Sequence, residues 1–318
     1  MVKSVKTIHA LKSGVYILAL GMSLCILAPA LRAQEKGTLE PQPLPPLTHP
    51  DDPSLPAKEL FGRVEAPTSL TARAIGFYSR GCLAGAQALP VNGPTWQVMR
   101  LSRNRNWAHP NLIAFLETFA AQVPHVSHWP GILVGDISQP RGGPMRTGHA
   151  SHQIGLDADI WLTPMPTHVL SRLEREDMSA ANMVAADRLS VNENWTPDHM
   201  AVIKAAASSP QVERIFVNPA IKKAMCAQAG PDRGWLHKVR PFYGHDYHFH
   251  IRIICPQGDE ACKNQEPVPE GDGCDASLDY WFSDAVLHPK PPATPPVPKP
   301  PLTLAQLPAE CRSVVLQP

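Results

Sequence analysis

Apolar and polar side chains alternate strictly in YHFHIRII, residues Tyr247 to Ile254. Tyr247, Phe249, Ile251 and Ile253 fall on one face, and His248, His250 and Arg252 on the other. A period of two predicts a strand with a core side and a polar side. GLDADIWL, Gly155 to Leu162, has the same design, with Leu156, Ala158 and Ile160 opposite Asp157 and Asp159. GILVGDIS (Gly131 to Ser138) and RIFV (Arg214 to Val217) read as further strands, the second short and buried. Elsewhere the pattern turns helical. Pro110 precedes Leu112, Ile113, Leu116 and Phe119, Thr196-Pro197 opens a helix through about Ala207, and Asn218-Pro219 opens one reaching Cys226. Helices and strands mix without a regular βαβ alternation, which predicts an α+β fold: a small antiparallel sheet flanked by helices.

The two ends of the chain differ from this middle. Lys3, Lys6 and Lys12 precede the apolar run Val15 to Ala28, and the small residues Ala28, Ala30 and Ala33 follow. That is the layout of an export signal, too short and too soon ended by Pro29 for a membrane span. Of the 36 prolines, many lie in two stretches, Leu39 to Pro56 and His288 to Pro301, both expected to be extended. The expected organisation is a signal peptide over 1–33, a proline-rich segment over 34–60, the functional domain over 61–285 and a proline-rich tail over 286–318. Six cysteines remain after the signal: Cys82, Cys226, Cys255, Cys262, Cys274 and Cys311. An even count in an exported chain points to three disulfides in an oxidising compartment, with fifteen pairings open. Cys311 lies beyond the second proline stretch, so the tail is expected to be pinned back to the body, with Cys82 a candidate partner. A net charge of +1 gives no electrostatic footprint for nucleic acid.

Five of the 14 histidines fall in two clusters, His149 and His152 before the first polar face and His245, His248 and His250 on or beside the second. Zinc catalysis needs about three ligands from histidine and carboxylate, with one position left for water. His152, Asp159 and His250 supply such a set, and His248 is placed to act as a base. An isolated H-x-H is more often surface or packing histidine, and Asp157 and Asp159 are also compatible with solvating a strand edge. Ligand-type residues on the polar faces of two strands favour the metal. There is no H-E-x-x-H, no G-x-S-x-G and no S-x-x-K, so helix-based zincin, nucleophile-elbow and penicillin-binding serine chemistries lack support.

GHASHQIGLDADI with the later HFH resembles the signature of the penicillin-insensitive murein endopeptidases. These are metallopeptidases grouped with lysostaphin-type enzymes, D-Ala-D-Ala carboxypeptidases and the hedgehog domain. RGGPM, RIFVNPAIKK, DRGWLHKVRPFYGHDYHFHIRIICP and GDGC extend the likeness from about Phe61 to Cys311. The resemblance implies a periplasmic zinc endopeptidase acting on peptidoglycan cross-links, typically the D-alanyl–meso-diaminopimelyl bond. It implies His152, Asp159 and His250 as zinc ligands, His149 as a further one, His248 as the histidine assisting water, and pairings Cys82–Cys311, Cys226–Cys274 and Cys255–Cys262. His245 matches another nearby histidine, with a role in catalysis and a plain loop position at the cleft rim both open, and Asp157 reads as a supporting or structural residue. Arg141, in a glycine-flanked loop, is a candidate for binding a stem-peptide carboxylate, although an ordinary solvated loop arginine is the more usual reading of such a position. Ser190 stands where some relatives carry the histidine of a D-x-x-H, which argues against a second metal site at Asp187. The competing readings are a D,D-carboxypeptidase trimming stem peptides and a non-catalytic zinc-containing peptidoglycan-binding module.

Overall fold

The computed structural model describes residues 36–292, 294, 297 and 299–317, so the signal segment lies outside the described residues. The alternating stretches become the central strands of a six-stranded sheet. Its strands are β1 (Trp96–Val98), β2 (Ile132–Val134), β3 (Asp157–Trp161), β4 (Val212–Val217), β5 (Val239–Pro241) and β6 (His248–Ile253), in spatial order β1-β2-β3-β6-β4-β5. The four inner strands are antiparallel, as the pattern predicts, whereas β1 and β5 join the two edges in parallel. Parallel neighbours need a crossover connection. Helix α1 (Pro110–Val126) lies in the chain between β1 and β2, and helix α3 (Pro219–Gln228) between β4 and β5.

Proline at the first helical position sets the start of these helices. His109 caps α1 by accepting from the Asn111 N–H, Thr196 precedes α2 (Pro197–Ala207), and Asn218 caps α3 through the Ala220 N–H. One face of the sheet and the inner sides of the helices form the main core. Ala158, Ile160, Ile215, Val217, Val239, Phe249 and Ile251 meet Leu112, Leu116, Phe119, Val202, Ile203 and Ile221 there. Phe119 meets Phe249 edge-on at 6.4 Å. Alternation along β3 and β6 therefore leaves their polar side chains on the opposite face.

A hairpin, Arg73–Phe77 with Arg80–Ala84, packs against the C-terminal helix α4 (Glu310–Leu316), and Tyr78 in its turn lies against Arg252 on that opposite face. Ala57, Phe61, Ile75, Cys82, Ala84, Leu307, Val314 and Val315 close a second, smaller core. Disulfides join Cys82 to Cys311, Cys226 to Cys274 and Cys255 to Cys262. The proline-rich ends meet where Ala57 N–H donates to Leu302 O at 2.7 Å. Among the described residues, no helix is long and apolar enough to cross a membrane.

Candidate metal centre

Cross-strand register builds the site. Asp159 stands opposite His250 and Asp157 opposite Arg252 on the adjoining β3 and β6. The register thus places the two acids and the two basic side chains beside one another on the polar face. His152 arrives from the loop before β3 with φ +67°, a left-handed conformation that costs a non-glycine residue about 1–2 kcal/mol. Three hydrogen bonds hold it there. Its N–H donates to Asp157 Oδ2 (3.0 Å), its carbonyl accepts from Ser138 Oγ (2.7 Å), and its Nδ1 donates to Ile137 O (2.6 Å). A carbonyl can only accept, so Nδ1 carries the proton and Nε2 keeps a lone pair. Buried strain that the surroundings enforce is a mark of functional loops.

The lone pairs converge. His152 Nε2 lies 3.5 Å from Asp159 Oδ1, and His250 Nδ1 lies 3.2 Å from the same oxygen. His149 Nδ1 and His248 Nε2 each lie 3.6 Å from Asp159 Oδ2. His149, His152 and Asp159 offer three ligand atoms within 4.8 Å of one another, a group able to hold a metal ion. His152 Nε2 and Asp159 Oδ1 are buried with no hydrogen-bond partner. Leaving such acceptors unpaired costs about 1–3 kcal/mol each, more for a charged group, so the donor set fits a cation between them.

Charge tunes these groups. Burial pushes the Asp159 carboxyl up, but His248, His152 and His149 together hold it well below the usual carboxylate range. Asp157 is likewise held down against burial, by Arg252 and His250. Burial lowers His248, with Asp159 opposing, and holds His245 well below an ordinary histidine, with the charges of His248 and His250 adding to the effect. His250 rises, because Asp157 and Asp159 outweigh its desolvation.

The structure adds a residue that the sequence pattern does not single out. Asp136, just past β2, accepts from Arg105 (2.8 Å) and Arg103 (3.1 Å) and lies 3.0 Å from His149 Nε2. It fixes the ring so that Nδ1 faces Asp159. An acid ending a buried strand, in VGDIS, was the only available signal. Asp136 is held low against its burial, by His149 first and Arg105 next. Arg141 is placed differently from the expectation. It is 7% exposed, and its Nε and Nη1 donate to the carbonyls of Ala66, Val314, Val315 and Gln317, so two of its three nitrogens are engaged by backbone. His245 sits beside the centre, its ring 4.9 Å from that of His248 and its Nδ1 donating to the Phe242 and Tyr243 carbonyls. Asp187 accepts from the Leu189 N–H in a turn and joins no ligand group among the described residues.

Fold and side chains define an α+β protein whose central strands present a histidine- and aspartate-lined centre able to hold a metal ion. The family model described as penicillin-insensitive murein endopeptidase matches residues 74–316. A Haemophilus influenzae protein named penicillin-insensitive murein endopeptidase is 48% identical over 230 residues, covering 70% of this chain and 79% of its own. Proteins of the same name from Klebsiella pneumoniae subsp. pneumoniae (43% identical, 80% of this chain and 89% of its own) and Pectobacterium atrosepticum (42%, 76% and 87%) are also similar. The chain belongs to the penicillin-insensitive murein endopeptidase family, and it is a peptide hydrolase.

Proposed function

We propose that this protein hydrolyses the D-alanyl–meso-diaminopimelyl cross-links of peptidoglycan in the periplasm, with zinc held by His152, Asp159 and His250 and joined by His149. The observation that carries the reading is the convergence of unpaired, buried His152 Nε2 and Asp159 Oδ1 with His250 Nδ1, in a chain of this family. Two imidazoles and a carboxylate are the ligand types zinc prefers. When bound, zinc supplies a Lewis acid that polarises a carbonyl and lowers the pKa of water from ~15.7 toward ~7.

The remaining steps belong to this chain. Burial keeps His248 neutral near pH 7, so its Nε2, which faces Asp159, takes up the proton of the attacking water and later passes it to the leaving amine. Asp159, 3.6 Å away, stabilises the imidazolium. His245, itself kept neutral, packs against His248 and holds its ring in place. No S-x-x-K serine is present for a β-lactam to acylate.

The test is digestion of defined cross-linked muropeptides, with and without a chelator, read by mass spectrometry. Dimers are expected to split, the chelator to stop it, and zinc to restore it. His248→Ala is expected to abolish cleavage, a loss of at least about 100-fold, while retaining zinc. Intact dimers at full zinc occupancy overturn the reading, and release of D-alanine from monomeric pentapeptides in their place assigns a carboxypeptidase. Zinc loss in His248→Ala reassigns that residue to the ligands.

A further inference from the structure

The row that carries Asp159 and His250 runs on across the sheet. Phe216 on β4 is the register partner of His250, and Arg240 on β5 is the register partner of Phe216. Val239 and Ile215 turn into the core, so Phe216 and Arg240 lie on the face of the metal centre. Two strand spacings, about 10 Å, separate Arg240 from His250 along the backbone. Phe216 fills the interval, its ring 5.3 Å from His250 and 5.7 Å from Phe242, which is 53% exposed at the rim beside His245.

Arg240 is only partly exposed and makes no hydrogen bond or ion pair among the described residues. Its neighbours are engaged: Arg233 with Asp272 at 2.7 Å, and Arg214 with Glu213 and the Glu266 carbonyl. Beside it lies Lys222, fully buried, whose Nζ donates to Leu236 O and Asp272 O. Gly273, at φ +66°, brings its backbone close against both side chains. A Cβ there would stand 3.0 Å from Arg240 Nη1 and 3.6 Å from Lys222 Nζ, so the two basic side chains lie next to one another at this turn. Burial and then the charge of Arg240 push Lys222 down to about 7. Asp275 offsets Arg240 only from a distance. A half-buried arginine with no hydrogen-bonded counter-ion, beside a buried lysine, is stabilised by an anion.

We infer that Arg240, part-exposed and unpaired on the face of the metal centre with the buried Lys222 nearby, forms an anion subsite that takes a free carboxylate of the stem peptide while the scissile bond lies at His248 and His250. The inference rests on the proposed murein endopeptidase reading. It assigns the carboxylate-binding role to Arg240 in place of Arg141, with the exposed Phe242 flanking the peptide between subsite and metal centre.

Three measurements test it on the zinc-loaded protein: cleavage kinetics on a cross-linked muropeptide dimer, the same on a dimer with its carboxylates amidated, and calorimetric binding of a stem tetrapeptide. Arg240→Gln is expected to raise KM on the acidic dimer about tenfold or more, with kcat, zinc content and melting temperature unchanged. Arg240→Lys should recover part of the loss. On the amidated dimer, wild type should fall to the level of Arg240→Gln, and the variant should lose nothing further. An unchanged KM, an equal defect on both dimers, or a fall in kcat together with zinc overturns the subsite. If wild type leaves every dimer intact yet binds the tetrapeptide through Arg240, the endopeptidase reading fails and the subsite stands.

Discussion

Asp157 serves two proposed ligands with two oxygens. Oδ2 accepts from the His152 N–H and from Arg252 Nη2, each at 3.0 Å. Oδ1 accepts from Arg252 Nε at 2.8 Å and lies 3.2 Å from His250 Nε2, which turns Nδ1 of that ring toward Asp159. Partners of this kind typically change metal affinity 10–100-fold. Asp157→Asn is therefore expected to weaken zinc binding by about 10–100-fold, measured by competition with a chromophoric chelator, while circular dichroism shows a folded protein. Undiminished affinity would remove Asp157 from the metal's support. Much at this scale was legible in the chain. Asp159, His248 and His250 come together because alternation puts strand side chains on one face, and His149 and His152 stand in the loop that leads into it. Asp136 and Arg240 were not legible, because a lone acid or arginine has no pattern until the register is known.

At the scale of elements, hydrophobic periodicity located the inner strands and the three long helices, with starts set by Pro110, Pro197 and Pro219. It overran at Gly131 to Ser138, where only Ile132–Val134 is a strand and Asp136 lies two residues past its end, still hydrogen-bonded to Asp159 through the backbone. It also missed the parallel edges, since three-residue strands such as β1 and β5 are too short to show a period. The C-terminal helix was invisible for a related reason: ECRSVVL is short and gains its stability from what it packs on. Arg141 is part of that support. Its guanidinium satisfies the Val314, Val315 and Gln317 carbonyls, which the helix itself leaves unpaired. Arg141→Ala is expected to lower unfolding free energy by about 2–4 kcal/mol and to speed amide exchange across 310–316, with KM for the dimer unchanged. A raised KM with full stability would return Arg141 to the substrate.

At the scale of the whole molecule, the even cysteine count and the position of Cys311 beyond the proline stretch made a pinned tail legible. The second core behind it was not, because Phe61 and Val314 are brought together only by the folded chain. The three disulfides close very different loops, with sequence separations of 229, 48 and 7 residues. In the chain-entropy account, a cross-link stabilises by restricting the unfolded chain, and the effect grows with the logarithm of the loop. That ranks Cys82–Cys311 first at about 5 kcal/mol, Cys226–Cys274 next at about 4, and Cys255–Cys262 last at about 2. Paired cysteine-to-alanine variants, unfolded in guanidinium under oxidising conditions, should lose stability in that order. Burial works in the same direction, since Cys82 and Cys311 are both fully buried and their removal also thins the second core. Equal losses for the three pairs would mean that local packing, rather than restriction of the unfolded chain, sets what each bond contributes. Because the longest loop joins the hairpin to the tail, its loss should free α4 first and leave the sheet that bears His250 and Asp159 still able to bind zinc.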